Sequence, residues 1–572
     1  MNKIPIIEFD NFSFQYFSQA SPTLHAIKLK IYPGEKVLIV GPSGSGKSTL
    51  GHCLNGLIPF SYKGNVTGSL RIKGQETQAL DIFSLSKIVG TVLQDADGQF
   101  VGLTVGEDIA FAMENDQVAN AEMHRRVSQV AAMVGMNDRL GASPYELSGG
   151  QKQRTALAGV LIDDVDILLF DEPLANLDPA TGKAAIEIID EIHQRTQKTI
   201  LIIEHRLEDV LHRQVDRIIL INDGRILADL SPHEMVASDR LIENGIREPL
   251  YVTAMKYAGI KVTSQMLPGY IQSLQLAGSE ATLQAWCQGI VASPSPRETA
   301  IVLAIEDVSF SYDGVRPTLD AVNLQLHAGE MVAIVGKNGA GKSTLSRLLC
   351  GFVREDRGKI RVDGVDIAGL SIKERATIFG LVLQNPNQMI SKSLIFDEVA
   401  LGLRLRGVPE AEIGARVDKV LHVCGLAPFS TWPIAALSYG QKKRVTIAAI
   451  LVLEPRILIL DEPTAGQDYH HYSEIMEFLR EINRRGVTII LITHDMHLMQ
   501  EYTPRAIVLA DGRIVADTRA SVVLTEPGII AEANLKETSL FHLAELAGIA
   551  DGVGFVQSFI NYERQVKHAD ES

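Results

Sequence analysis

No run of about 18 or more apolar residues occurs in this 572-residue chain, whereas a membrane-crossing helix needs about 20. The two longest candidates, 156–170 and 445–460, are broken by Asp163, Asp164 and Asp166 and by Glu454 and Arg456. No membrane-crossing helix is expected. The opening MNKIPIIEFD reaches an acidic pair within ten residues and lacks the apolar core of a secretory signal, so the mature chain is expected to begin there. Cysteine is scarce: Cys53, Cys287, Cys350 and Cys424 lie far apart with no CxxC pair, which argues against a zinc site or a disulfide framework and fits reduced thiols in a cytosol. Basic excess is missing too. The 54 Lys and Arg stand against 69 Asp and Glu, a formal charge of −15, the wrong sign for a protein that grips nucleic acid through its overall field.

What is present is length and apolar content. At 572 residues and 46% apolar the chain exceeds one hydrophobic core and should fold as several globular domains. An internal repeat organises it. GPSGSGKST begins at Gly41 and GKNGAGKST at Gly336, an offset of 295. Gln94 and Gln384, Ser148 and Ser438, Asp171 and Asp461, and Asp178 and Asp468 each differ by 290, and His205 and His494 by 289. The five-residue change falls where LIPFSYKGNVTGSL faces the shorter FVREDRGKI, and reads as a loop insertion. REPLYVTAMKYAGI (247–260) and KETSLFHLAELAGI (536–549) still align, so each half ends in its own extension. The expected boundaries are 1–235 and 303–525 for the two main domains, with 236–302 and 526–572 as extensions, the first including the linker.

KVLIV (36–40) and MVAIV (331–335) are short apolar runs ending at glycine loops, each expected to be followed by a helix. ILLFDEP and ILILDEP, then TILIIEH and TIILITH, read as fully buried strands. Strands alternating with helical stretches predict an α/β fold, two tandem P-loop domains each with a mainly parallel sheet. Residues 107–140 and 397–425 look helical and predict a helical subdomain inserted into each.

The glycine loops carry the first chemistry. In GxxxxGK[ST], backbone amides wrap a polyphosphate and glycines permit the close approach. Gly41, Pro42, Ser43, Gly44, Ser45 and Gly46 in one half, and Gly336, Lys337, Asn338, Gly339, Ala340 and Gly341 in the other, form these loops. Lys47 and Lys342 would reach the β- and γ-phosphates, Ser48 and Ser343 would hold magnesium, and Thr49 and Thr344 would bond the α-phosphate. Asp171-Glu172 and Asp461-Glu462 end apolar strands, where a carboxylate pair is costly unless a cation satisfies it. The first acid of each pair would bind metal through water, and the second would polarise the attacking water. His205 and His494 close the series as candidate γ-phosphate contacts. Tyr16 and Tyr312, in NFSFQY and DVSFSY before the loops, are candidates to stack on adenine.

The whole series, with LSGGQKQR at 147–154 and LSYGQKKR at 437–444 before the Asp-Glu pairs, resembles the ATP-binding-cassette (ABC) ATPases, twice, over nearly the whole chain. The resemblance implies ATP and Mg2+ as cofactors and ATP hydrolysis as the activity. It adds Gln94 and Gln384 to the magnesium and nucleotide set, and Asp178 and Asp468 to the nucleotide set. It also implies two composite sites formed head to tail within one chain, with Ser148, Gly149, Gly150 and Gln151 capping one ATP and Ser438, Tyr439, Gly440 and Gln441 the other. Tyr439 departs from LSGGQ. Its amide can still donate if its φ stays negative, so Glu172, Glu462, His205 and His494 are expected to serve two competent sites, the one holding Lys47 and capped beside Tyr439 being slower.

QDADGQF (94–100) and QNPNQMI (384–390), the second one residue short, resemble the QNPDxQ phrase of energy-coupling-factor (ECF) importer ATPases, including cobalt and nickel systems. That resemblance implies a transmembrane T-type component, a small substrate-binding S-type membrane component, and a peripheral place on the cytoplasmic face of the membrane. LSYGQKKR and TAGQDYHHY (464–472) look closest to hydroxymethylpyrimidine or thiamine import ATP-binding proteins. The alternatives are tandem-cassette translation factors, sugar-importer ATPases and cobalt or nickel importer ATPases. Residues 231–302 hold five Lys and Arg against six Asp and Glu, so nothing there would grip RNA and no nucleic-acid partner is expected.

Overall fold

The computed structural model describes residues 4–94, 96–175, 177–290, 300–465 and 467–569. Asp95 of QDADGQF, Gly466 of TAGQDYHHY and residues 291–299 of the linker lie outside the described residues. The chain forms two compact units, one built on residues up to Gln284 and one from Ala285 onward, with Asp468–His470 and Leu546–Gly548 grouped with the first.

In the first unit a six-stranded sheet runs in the order Arg225–Leu230, Arg217–Asn222, Lys36–Val40, Thr199–Ile203, Ile167–Asp171, Val89–Val92. Only the Arg225–Leu230 edge strand is antiparallel to its neighbour. Lys36–Val40 and Thr199–Ile203 are buried at every residue, which is why they read as unbroken apolar runs rather than alternating ones. The second unit repeats this arrangement with Arg513–Thr518, Arg505–Ala510, Met331–Val335, Thr488–Ile492, Ile457–Asp461 and Phe379–Val382. The expected α/β class and mainly parallel sheets hold in both.

Each unit also carries a four-stranded antiparallel sheet that periodicity does not reveal. In the first it comprises Leu24–Ile31, Ile7–Tyr16, Gly64–Ile72 and Gln75–Glu76, and in the second Leu319–His327, Ile301–Phe310, Arg357–Val362 and Val365–Asp366. The insertion in the first half is more than a loop. It forms a helical turn, Leu57–Phe60, and lengthens a strand to the nine residues Gly64–Ile72, against six in Arg357–Val362. Residues 107–140 resolve into two helices, Val105–Asn115 and Asn120–Val134, matched by Ile395–Leu405 and Glu410–Val423. Among the described residues no helix is long and apolar enough to cross a membrane.

The two units differ at one core position. Arg375 is 1% exposed and donates to the carbonyls of Leu348 at 2.8 Å and Ile367 at 3.0 Å. It thereby adds a further donor to the Leu348 carbonyl at the end of the helix Lys342–Leu349, which also accepts from the Gly351 amide at 3.1 Å, and to the Ile367 carbonyl, which also accepts from the Leu370 amide at 3.0 Å. The first unit places the apolar Leu85, fully buried, at the matching position 290 residues earlier. Arg375→Ala removes these added donors and opens a cavity, so it should destabilise the second unit by about 3 kcal/mol, whereas Arg375→Leu should cost less. Trp286 and Trp432, the only two tryptophans, both belong to that unit, so their fluorescence during urea unfolding measures the difference.

Candidate functional site

Each glycine loop leaves the central strand of its sheet and feeds a helix, Lys47–Leu54 or Lys342–Leu349. A Cβ at Gly41 would sit 2.1 Å from the Ile221 carbonyl, and one at Gly336 1.9 Å from that of Leu509, so only glycine fits where the loop leaves the sheet. Gly46 and Gly341, with φ of 101° and 103°, turn the chain into the helix through a region closed to most side chains. Ser43, Gly44, Asn338 and Gly339 lie exposed, and Ser45 and Ala340 are buried beneath them. Pro42 and Lys337 are half-buried, and their carbonyls help to hold the lysines.

Lys47 folds back on its own loop, donating to the carbonyls of Gly41 and Pro42, both at 2.8 Å. Lys342 does the same with Gly336 at 2.7 Å and Lys337 at 2.9 Å. Burial lowers the Lys47 ammonium to about 8 although Glu172 and Asp171 pull it upward. A buried ammonium held by loop carbonyls and lying beside acids is suited to an anionic ligand.

The structure brings Gln94, Glu172 and His205 together. His205 Nε2 lies 2.7 Å from Glu172 Oε1, and the Gln94 amide donates to Glu172 Oε2 at 2.5 Å. Burial pushes Glu172 up, but the hydrogen bond from His205 and the charges of His205 and Lys47 outweigh it, leaving the carboxyl below its ordinary range. In the second unit His494 meets Glu462 through Nδ1 at 2.7 Å, and the Thr493 hydroxyl donates to the other carboxylate oxygen at 3.2 Å. Glu172 and Glu462 have φ of 49° and 47°, a left-handed conformation that costs non-glycine residues of order 1 kcal/mol and recurs at functional sites. Gln384 sits in the matching loop, where its main-chain carbonyl accepts from Lys443 and Tyr439.

Asp171 Oδ1 is buried with no hydrogen-bond partner among the described residues, and burial together with the Glu172 charge raises its carboxyl to about 6. Asp461 is raised by the same two causes and accepts a 3.2 Å bond from Ser343 Oγ. Ser48 is exposed at the matching place. Among the described residues no group of three or more His, Cys, Asp or Glu could hold a metal ion. One carboxylate, a hydroxyl and a glutamine fit a hard oxygen-seeking cation such as Mg2+, which completes its shell with water and phosphate oxygens. The orphaned Asp171 oxygen is consistent with such a ligand.

Tyr16 and Tyr312 both reach the loop helices. Their hydroxyls lie 3.1 Å and 3.4 Å from Thr49 Oγ1 and Thr344 Oγ1. Tyr16 is half-buried with its ring edge-on to Phe14 and Tyr62, whereas Tyr312 is 56% exposed. Ser148 and Ser438 are N-caps of the helices Gly149–Leu161 and Tyr439–Leu451, each in a capping box with Gln151 or Gln441. Gly150 is half-buried and Gly440 buried, just inside these helices. Tyr439 lies in the helix with φ below zero, the condition under which its amide can still donate. Asp178 is buried and caps the helix Pro179–Thr196 through the Thr181 amide at 2.9 Å, and Asp468 is buried at the head of the matching helix Tyr469–Arg484.

Motif reading missed Glu204. It is buried between Ile203 and His205 and accepts from the amides of Leu174 at 3.1 Å, His205 at 2.7 Å and Arg206 at 3.1 Å, fixing the chain around the Glu172–His205 pair. Thr493 stands in its place in the second unit, so the contrast between IIEH and LITH was the available signal.

An aspartate held near 6 costs the fold its charge. Unfolded, its carboxyl titrates near about 4, so the charged form destabilises the native state above about pH 6 and the effect disappears below about pH 4. Asp171→Asn should therefore stabilise the ligand-free protein by roughly 1–3 kcal/mol at pH 7.5 and by nothing at pH 4. Urea unfolding at the two pH values measures this.

Known proteins are similar to this chain in sequence. A family model described as "ABC transporter" matches residues 24–175 and 319–465, and one described as "ATP-binding cassette cobalt transporter" matches residues 238–310. The chain is 56% identical to an ABC transporter ATP-binding protein of Clostridium perfringens, over 99% of this chain and 100% of that one. It is 57% identical to one of Enterococcus faecalis, over 99% and 100%. A solved structure of CbiO1 from Clostridium perfringens, described as part of the ABC transporter complex CbiONQ, is 35% identical with a TM-score of 0.38, covering 41% of this chain and 94% of that one. With two matched segments in tandem and relatives aligned from end to end, the chain belongs to the ABC transporter ATP-binding proteins, a family of ATPases.

Proposed function

We propose that this chain is the ATP-hydrolysing subunit of an ECF-type importer, in which ATP bound at two sites drives uptake of a small nutrient through separate membrane proteins. The observation that carries the reading is the duplication within one polypeptide of the same chemical set: a buried loop lysine, an Asp-Glu pair at a strand end, a glutamine and a histidine on the second acid. The match of residues 238–310 to a cobalt-transporter model favours an importer over a translation factor, as do the QNPDxQ-like phrases.

In this reading the loop amides and Lys47 or Lys342 hold the triphosphate, and Tyr16 or Tyr312 stacks on the base. Ser48, Gln94 and Asp171, or Ser343, Gln384 and Asp461, would hold Mg2+, which when bound neutralises charge on the phosphates. Glu172 and Glu462 accept a hydrogen bond from the attacking water, and His205 and His494 orient those carboxylates and face the γ-phosphate. The capping serines Ser148 and Ser438 stand at helix N-termini, where free amides and the helix dipole favour an anion. Each would cap the nucleotide held by the other half. Residues 1–235 and 303–525 serve as the cassettes, with 236–302 and 526–572 as extensions, and the chain lies peripherally on the membrane against a T-type and an S-type component.

The cargo is carried by the S-type protein, so LSYGQKKR and TAGQDYHHY support a thiamine precursor only through resemblance, and the cobalt-transporter match supports a metal ion. Binding assays on the copurified small membrane protein decide between them. Ribosomes in place of membrane partners would overturn the importer reading. For the catalytic assignment, Glu172→Gln and Glu462→Gln should each lower ATP turnover, Glu462→Gln the more, because the site capped beside Tyr439 is slower. The double variant should fall by about 10²-fold or more. Unchanged turnover in Glu172→Gln would contradict two competent sites.

A further inference from the structure

Three positions differ together between the two units, one in the segments that follow Gln94 and Gln384, the glutamine loops, and two in the helices Gly149–Leu161 and Tyr439–Leu451, the signature helices. In the first unit the loop braces itself: Gln99 accepts from the Leu93 amide at 3.2 Å and donates to the Thr91 carbonyl at 3.0 Å. Its signature helix contributes Gly149, which has no side chain, and Gln153, whose amide turns to the Pro173 carbonyl instead. In the second unit, the shortened phrase leaves Gln388 exposed and puts Met389 where Gln99 stands. There the Leu383 amide meets the Met389 thioether at 3.2 Å, a weak acceptor.

The signature helix supplies what that loop lacks. Lys443, 1% exposed, donates from Nζ to the carbonyls of Leu383 at 2.8 Å and Gln384 at 2.7 Å. The Tyr439 hydroxyl donates to the same Gln384 carbonyl at 3.2 Å. One carbonyl thus takes two donors four residues apart on a single helix, which places both on one face. The buried charge of Lys443 also acts on Asp461 and Glu462. A charged donor buried in this way makes a stronger bond than a neutral amide.

We propose that Tyr439 and Lys443 are positioning residues that tie the main chain at Gln384 to the head of the signature helix, making loop and helix one mechanical piece in the second cassette. The first cassette braces its loop internally through Gln99. The departure of Tyr439 from LSGGQ is therefore a replacement for a lost brace. For its catalytic consequence, the proposal rests on the reading of Gln384 and Glu462 as parts of an ATP site. A helix head that caps one nucleotide is thereby joined to the glutamine that attends the other.

The test uses the full chain and the pair Tyr439→Phe and Lys443→Gln. The first removes only a hydroxyl, and the second installs the residue that the first cassette already tolerates there. Without nucleotide, hydrogen exchange of amides in 383–390 should quicken about tenfold in the double variant, with 93–100 unchanged. In a Glu172→Gln background, kcat should fall about fivefold or more while KM for ATP stays within about twofold, the pattern of a lost positioning contact. Unchanged exchange at 383–390 overturns the proposal, as does faster exchange spread evenly over the second unit, or unchanged kcat. The exchange result does not depend on hydrolysis, and the turnover of the Glu172→Gln parent tests the reading of two competent ATP sites separately.

Discussion

An acid pair at the inner end of an apolar strand is the constraint on which the rest of each site depends. Asp171 and Asp461 are held above their ordinary range by burial, and Asp171 keeps one oxygen without a partner. Carrying such a group in its charged form costs the fold unless a cation or a ligand meets it. The glutamic acids that follow adopt a left-handed backbone, and each is locked to a histidine at the end of the next strand. Strand ends, loop lysine and glutamine converge because parallel strands bring their C-terminal ends to one edge of the sheet.

The parallel sheets were legible because strands buried on both faces leave continuous apolar runs, as in KVLIV and TILII. The antiparallel sheets were not. Ile7–Tyr16 pairs with Leu24–Ile31 through register shifts at Phe9/Phe12 and Phe12/Phe14, which interrupt its alternation, and Asn11 takes a positive φ in mid-strand. The inserted segment read as a loop because glycines and polar residues mark turns, yet Gly64–Ile72 pairs along most of its length with Ile7–Tyr16. Within the site, residues of the glycine loops and acid pairs were found because their spacing is local. Glu204 and Lys443 escaped because their partners are main-chain groups that only tertiary structure brings near.

Duplication has not produced two identical sites. Histidine meets glutamate through Nε2 in one unit and Nδ1 in the other. Glu204 faces Thr493, Leu85 faces Arg375 and Gln153 faces Lys443 across the repeat. Each exchange changes which side chain meets the local backbone, with Leu85 meeting it through apolar packing alone, so fold and motif order persist while the surroundings of the two sites diverge.

What we propose for the two halves is that each finishes the nucleotide site begun by the other. Three of the native cysteines, Cys53, Cys350 and Cys424, are buried, and Cys287 is partly so, giving a low background for thiol crosslinking. In Glu172→Gln/Glu462→Gln protein carrying Ser43→Cys and Ser438→Cys, a short bifunctional thiol reagent should join the two positions within one chain when ATP and Mg2+ are added. Absence of that ATP-dependent crosslink, with nucleotide binding intact, would contradict the account.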